Sequence, residues 1–145
     1  MIEEPDLPLR IFSEEEMRHL LAREVQRCTR YQDFLSICLV RTIPSGKPAE
    51  AAASVAERIA LMLRATDFVG FIGADIVVLL VHTPDTDAAM ITDRIRDRLQ
   101  TGEPGRLLIG LASFPTNATS DGGLLAHVEA QLRPPDPSEG SGRLS

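Results

Sequence analysis

Two hydrophobic periods alternate along this chain, one of helices and one of strands. Met17, Leu20, Leu21, Val25 and Cys28 recur at i, i+3, i+4, i+8 and i+11, which is one apolar face of a helix. Ser13 followed by Glu16 is a capping-box pattern, so that helix is predicted to start at Ser13 and to end near Arg30. Phe34 to Ile43 is short and dense in β-branched and apolar residues and predicts a buried strand, which Pro44, Ser45, Gly46, Lys47 and Pro48 end as a loop. The Ala-rich run from Ala49 to Arg64, with Val55, Ile59, Leu61, Met62 and Leu63, predicts a helix. Two apolar runs, Phe68 to Ile72 and Ile76 to Val81, flank a tight Gly73-Ala74-Asp75 corner and predict a hairpin, because Gly tolerates positive φ and Asp bonds its own turn. Thr83 to Thr86 reads as a turn. Ala88, Ile91, Ile95 and Leu99 mark another amphipathic helix, which Gly102 to Gly105 breaks. Arg106 to Phe114 predicts a last strand closed by Pro115, and Leu124, Leu125, Val128 and Leu132 a last helix capped around Ser120 or Asp121.

After the leading helix the order is strand, helix, strand, strand, helix, strand, helix. That order predicts an α/β (α+β) fold with a ferredoxin-like βαββαβ core and helices on its sheet faces. The domain is expected over residues 12–132, with an irregular lead-in over 1–11 that holds Pro5 and Pro8, and a disordered Pro/Ser/Gly-rich tail over 133–145. The chain of 145 residues, 43% hydrophobic and 25% charged, suits one ordinary domain with a single core.

Charge narrows the partners. A net charge of −6 argues against nonspecific binding to nucleic acid or an anionic membrane, which would want a basic face. An RNA-binding ferredoxin-like domain is disfavoured further by the scarcity of aromatics on the strands. Cys28 and Cys38 lack C-x-x-C spacing and read as reduced packing residues of a cytoplasmic protein. His19, His82 and His127 are scattered singly, so no metal site and no cofactor is expected. The acidic start (Glu3, Glu4, Asp6) has no apolar h-region, and no apolar run approaches membrane-spanning length.

The ordered residues resemble a diguanylate cyclase (GGDEF) domain over roughly Phe12 to Leu132. Glu24 to Arg27 with Arg30 resembles the end of that family's leading helix, and Leu35 to Val40 its first strand. Phe71-Ile72-Gly73-Ala74-Asp75-Ile76-Val77 resembles the hairpin sequence R-Y-G-G-D-E-F. Thr92-Asp93-Arg94-Ile95-Arg96 is similar to A-E-R-I-R, and Leu108 to Pro115 to S-I-G-V-A-x-F-P. The resemblance implies the nucleotidyl cyclase fold, and the departures fall on the chemistry. Condensing two GTP molecules requires metal ions held by carboxylates on the first strand and at the hairpin tip. Here the first-strand position is Arg41, the second glycine is Ala74, and the second acid is Ile76, followed by Val77. Only Asp75 remains of the paired acids, and the F-K-x-x-N-D and G-H-x-x-G-D segments are absent. The expectation is a domain without cyclase activity. Arg41 either pairs with Asp75 across neighbouring strands or anchors a phosphate in place of the metals.

A second site implied by the resemblance is kept. The family binds its product, cyclic di-GMP, at an R-x-x-D motif five residues before the signature, and Arg64-Ala65-Thr66-Asp67 stands five residues before Gly73. An Arg fork suits guanine O6 and N7, and an Asp carboxylate suits its N1–H and N2–H. Arg94 matches the helix arginine that completes this site. The expected role is then a cyclic di-GMP receptor that regulates a protein partner, with a homodimer cross-linked by stacked ligand as one consequence. The bland alternative is that Arg64 serves a helix C-terminus and Asp67 a turn, in a nucleotide-independent scaffold.

Overall fold

The computed structural model describes residues 10–43, 48–100 and 106–132. Its elements are β1 (Ile11–Phe12), α1 (Glu14–Tyr31), β2 (Leu35–Ile43), α2 (Pro48–Ala60), β3 (Phe68–Ile72), β4 (Asp75–Val81), α3 (Asp85–Gln100), β5 (Arg106–Phe114) and α4 (Asp121–Leu132). They build one five-stranded sheet in the order β1-β3-β4-β2-β5. The short β1 runs parallel to β3, and every other neighbouring pair is antiparallel. β2-α2-β3-β4-α3-β5 is therefore the predicted βαββαβ core, with α1 leading and α4 closing it.

Strand alternation decides which helix covers which face. Leu35, Ile37 and Leu39 of β2 and Val77, Leu79 and Val81 of β4 point to one side, beneath Met17, Leu21, Val25 and Cys28 of α1 and Leu124, Val128 and Leu132 of α4. Cys38, Val40, Ile76, Val78 and Leu80 point to the other, beneath Val55, Ala56 and Ile59 of α2 and Ala88, Ile95 and Leu99 of α3. Both faces of the central β4 are covered, which is why its sequence is an unbroken apolar run. The Cys38 thiol lies fully inside this second layer, and burial pushes its pKa up to about 12. Among the described residues no helix is long and apolar enough to cross a membrane.

The capping box forms as predicted: the Glu16 amide donates to Ser13 Oγ at 3.3 Å, and the Ser13 amide to Glu16 Oε1 at 2.9 Å. Several boundaries differ: Phe34 lies before β2, Pro48 opens α2 and Asp75 opens β4, and three further ones have a visible cause. Ile11, expected in the lead-in, begins an edge strand whose Phe12 pairs with Gly70 and sets its ring edge-on against Phe68, centroids 5.7 Å apart. Gly70 permits the approach, since a Cβ there would lie 2.2 Å from Met17 Cγ and 2.5 Å from the Phe12 carbonyl oxygen. Two residues are too few for any period to show. α3 starts at Asp85, inside the stretch expected as a turn, with Asp85 and Asp87 in its positive first turn. α2 stops at Ala60, four residues before the expected end at Arg64. There Met62 donates to the Ile59 carbonyl at 2.8 Å and Leu63 to that of Ala60 at 3.3 Å, so the chain tightens to i→i−3 bonds and unwinds into a turn. The expectations for the residues before Arg10, the loop over 44–47, the break over 101–105 and the tail over 133–145 lie outside the described residues.

Candidate functional site

The β3–β4 hairpin carries an arginine–aspartate fork at each end. Ile72 pairs with Asp75, which leaves Gly73 and Ala74 as a two-residue loop. Of these two only Gly73 has positive φ, +62°, the pattern of a type II′ turn with Gly first. At this tip, register places Arg41 of β2 next to Asp75: Val40 faces Ile76, so the following residue faces Asp75. The guanidinium donates from Nε to Asp75 Oδ1 at 2.9 Å and from Nη2 to Asp75 Oδ2 at 2.8 Å. Its Nη2 also reaches both oxygens of Glu129 on α4, at 3.0 and 3.1 Å. These carboxylates, Asp75 foremost, hold the Arg41 pKa well above the usual arginine value. The turn amide of Gly73 donates to Glu14 Oε1 at 2.8 Å, and that bond is the main reason the Glu14 carboxyl sits below its ordinary 4.5. Beside the fork lies a cavity of about 630 Å³ walled by Thr42, Ala52, Ala53, Phe71 and the Gly73–Ala74 turn.

At the base of the hairpin, Arg64 and Asp67 close a turn upon themselves. Arg64 donates from Nε to Asp67 Oδ2 and from Nη2 to Asp67 Oδ1, both at 3.0 Å, while its backbone amide reaches Oδ2 at 3.1 Å. The same Nη2 donates to the Val81 carbonyl at 3.1 Å and to Thr83 Oγ1 at 2.7 Å, and the Val81 amide donates to Asp67 Oδ1 at 3.3 Å. Asp67 is 2% exposed and Arg64 is 52% exposed. Thr83 continues the linkage inward, because its carbonyl accepts from the buried Ser36 hydroxyl at 2.8 Å and Ser36 meets Ser113 at 2.7 Å.

These two ends sit on a sheet shared with known structures. No protein-family model and no curated protein matches the sequence. Among solved structures, a diguanylate cyclase protein from Thermotoga maritima superposes with a TM-score of 0.79 at 18% identity, covering 86% of this chain and 98% of that one. The active GGEEF domain of a Vibrio cholerae diguanylate cyclase gives 0.73 at 15% identity over 85% and 89%. A microbial GGDEF domain described in its interaction with cyclic di-GMP gives 0.68 at 12% identity over 84% and 85%. The chain has the GGDEF-domain fold.

The residues at the tip, which the sequence resemblance likens to the GGDEF signature, do not fit a divalent cation. A metal centre needs converging oxygen ligands, whereas here a guanidinium stands between Asp75 and Glu129. Ala74 stands in the turn, and Ile76 and Val77 are buried on opposite faces of β4 and bring no donor atoms to the turn. Among the described residues no group of three or more Asp, Glu, His or Cys side chains could hold a metal ion. Of the two sequence readings of Arg41, the pairing with Asp75 is the one observed.

At the base, the structure joins Arg64 to Asp67 but does not join Arg94 to either. Arg94 is exposed on α3, seven residues beyond Asp87, whose charge acts on Arg64. Seven residues of helix span about 10 Å, so Arg94 lies two turns along the face that begins near the fork. The reading of Arg64 as a helix C-terminal cation is corrected, since α2 has already ended and the residue belongs to the turn. Glu14 and Glu129 were not legible as site residues. Glu129 meets Arg41 from 88 positions away, and Glu14 reads locally as one of three acids opening a helix.

Proposed function

We propose that this chain is a catalytically inactive GGDEF-fold domain that binds cyclic di-GMP through Arg64 and passes that binding on to a protein partner. The observation that carries the reading is the state of the Arg64 guanidinium. Nε and Nη2 are held in place by Asp67, Val81 and Thr83, the side chain is half exposed, and Nη1 has no partner among the described residues. A fixed, outward N–H edge is what guanine O6 or a phosphate oxygen takes up with least loss of side-chain freedom. Arg94, exposed on the neighbouring helix and without an ion pair among the described residues, supplies a second cation for the ligand's phosphates. Asp67 then positions Arg64 rather than touching guanine, because both its oxygens are used inside the protein. A GGDEF domain of this fold described with cyclic di-GMP supports the ligand class. The inactive reading is supported by Arg41, whose charge stands between Asp75 and Glu129 where a metal would need carboxylates alone.

A second reading, a nucleotide-independent interaction module, is favoured by the burial of Asp67, which withdraws one half of the expected guanine-reading pair. Calorimetric titration with cyclic di-GMP, with magnesium and GTP in a parallel run, separates the two. Low-micromolar or tighter binding of cyclic di-GMP and no product from GTP supports the receptor. No heat with cyclic di-GMP leaves the interaction module, and turnover of GTP overturns the inactive assignment.

A further inference from the structure

The three residues between β4 and α3, His82 to Pro84, link two distant parts of the chain. Arg64 Nη2 donates to the Val81 carbonyl at 3.1 Å and to Thr83 Oγ1 at 2.7 Å, one residue to either side of His82. His82 itself pairs through Nδ1 with Asp33 Oδ2, in the turn between α1 and β2. Its backbone has positive φ, +58°, a left-handed conformation that a residue with a Cβ keeps where its surroundings hold it. We propose that His82 is a positioning residue that couples the orientation of the Arg64 guanidinium to Asp33 at the end of α1. Its use in signalling rests on the receptor reading, while the linkage itself is present without ligand.

Both ends of the linkage are anchored. At the α1 end, Asp33 Oδ2 also accepts from Arg27 Nη1 at 2.7 Å, Oδ1 accepts from the Phe34 amide at 2.7 Å, and Arg27 Nε reaches Glu24 at 2.9 Å. At the other end, the Thr83 carbonyl accepts from the buried Ser36 hydroxyl at 2.8 Å. Between them the His82 side chain is 60% exposed, and Asp33 is its sole hydrogen-bonding or ionic partner among the described residues. When that contact opens, residue 82 is free to return to negative φ, and the rotation displaces the Val81 carbonyl and Thr83 hydroxyl that fix Nη2. Conversely, a ligand that draws Nη2 away from Val81 and Thr83 loosens the turn that presents His82 to Asp33. The coupling runs both ways with equal free energy. Tyr31 and Phe34, both exposed, flank Asp33, so the change reaches an aromatic surface open to a protein partner.

The test follows the Arg64 Nε–H and the Asp33 and Tyr31 amides by NMR in the full chain. Without ligand, His82→Ala and Asp33→Asn should each move the Arg64 Nε–H resonance and speed its exchange by about threefold or more, as the guanidinium loses fixed partners. His82→Asn should keep the wild-type values, since Asn tolerates left-handed φ and its Nδ2 stands where histidine Nδ1 does. Arg18→Ala, which breaks an exposed ion pair of α1 with Glu14, should change nothing at Arg64. With cyclic di-GMP, shifts at Asp33 and Tyr31 are expected in wild type and His82→Asn and not in His82→Ala. The coupling is overturned by an Arg64 resonance indifferent to both His82→Ala and Asp33→Asn, by a folded His82→Asn that behaves as His82→Ala, or by ligand that binds at Arg64 and leaves Asp33 unmoved in wild type. Cyclic di-GMP that does not bind overturns the receptor reading alone, and the ligand-free variants still decide the coupling.

Discussion

The two ends of one hairpin hold the same pair of side chains and do opposite things with them. At the tip, Arg41 is shared by two carboxylates and is 31% exposed, with Asp75 at 13%. At the base, Arg64 is hydrogen-bonded to a single carboxylate, with the charge of Asp87 acting on it from α3, is 52% exposed, and spends its other hydrogen bonds on a carbonyl and a hydroxyl. An anion reaching the tip must evict a charge, while one reaching the base meets a cation whose extra partners are neutral. Accessibility of the arginine and the number of carboxylates hydrogen-bonded to it, more than the presence of an Arg–Asp pair, distinguish the two ends.

Substitutions can break this contrast. Asp67→Ala should have the largest effect on stability, about 2 kcal/mol, read as a lower denaturant midpoint, because it strands the Val81 amide and the turn amide of Arg64. Ligand affinity should fall in the same variant as Arg64 loses its orientation. Arg41→Ala should cost about 1 kcal/mol, less because its partner Glu129 is half exposed and solvent screens that pair, and it should leave cyclic di-GMP affinity unchanged. A loss of that affinity in Arg41→Ala would show that the two ends act as one site.

The smallest effect is a local one at Glu14. Its carboxyl is depressed below 4.5 in the folded chain, so its contribution is present above the ordinary carboxylate range and is lost as pH falls through the lowered value. The Gly73 amide resonance should accordingly titrate with a midpoint below 4.5 and cease to do so in Glu14→Gln. A midpoint at or above 4.5 would mean that the clasp between α1 and the turn does not form in solution.

Much of this architecture was readable from local chemistry. The Ser13–Glu16 box, the strand over Arg106 to Phe114 and the apolar strand from Ile76 to Val81 each follow from spacing within a dozen residues. The Arg41–Asp75 pair was legible because adjacent antiparallel strands have a predictable register. What escaped was set by tertiary contact or by competition between turns. The helical propensity of Leu61 to Leu63 loses to the turn that Asp67 closes, and Phe12 becomes a strand residue only because Gly70 leaves room for it. Burial of the Asp67 carboxylate depends on the far end of β4 and has no trace in the R-x-x-D spacing.

The most direct test of the central claim is a calorimetric titration of cyclic di-GMP into the wild-type chain, Arg64→Ala and Arg41→Ala side by side. The account predicts saturable binding to wild type and Arg41→Ala, and affinity weakened about a hundredfold or more in Arg64→Ala, as expected when a charged hydrogen-bonding edge is removed. Wild-type affinity in a folded Arg64→Ala would contradict it.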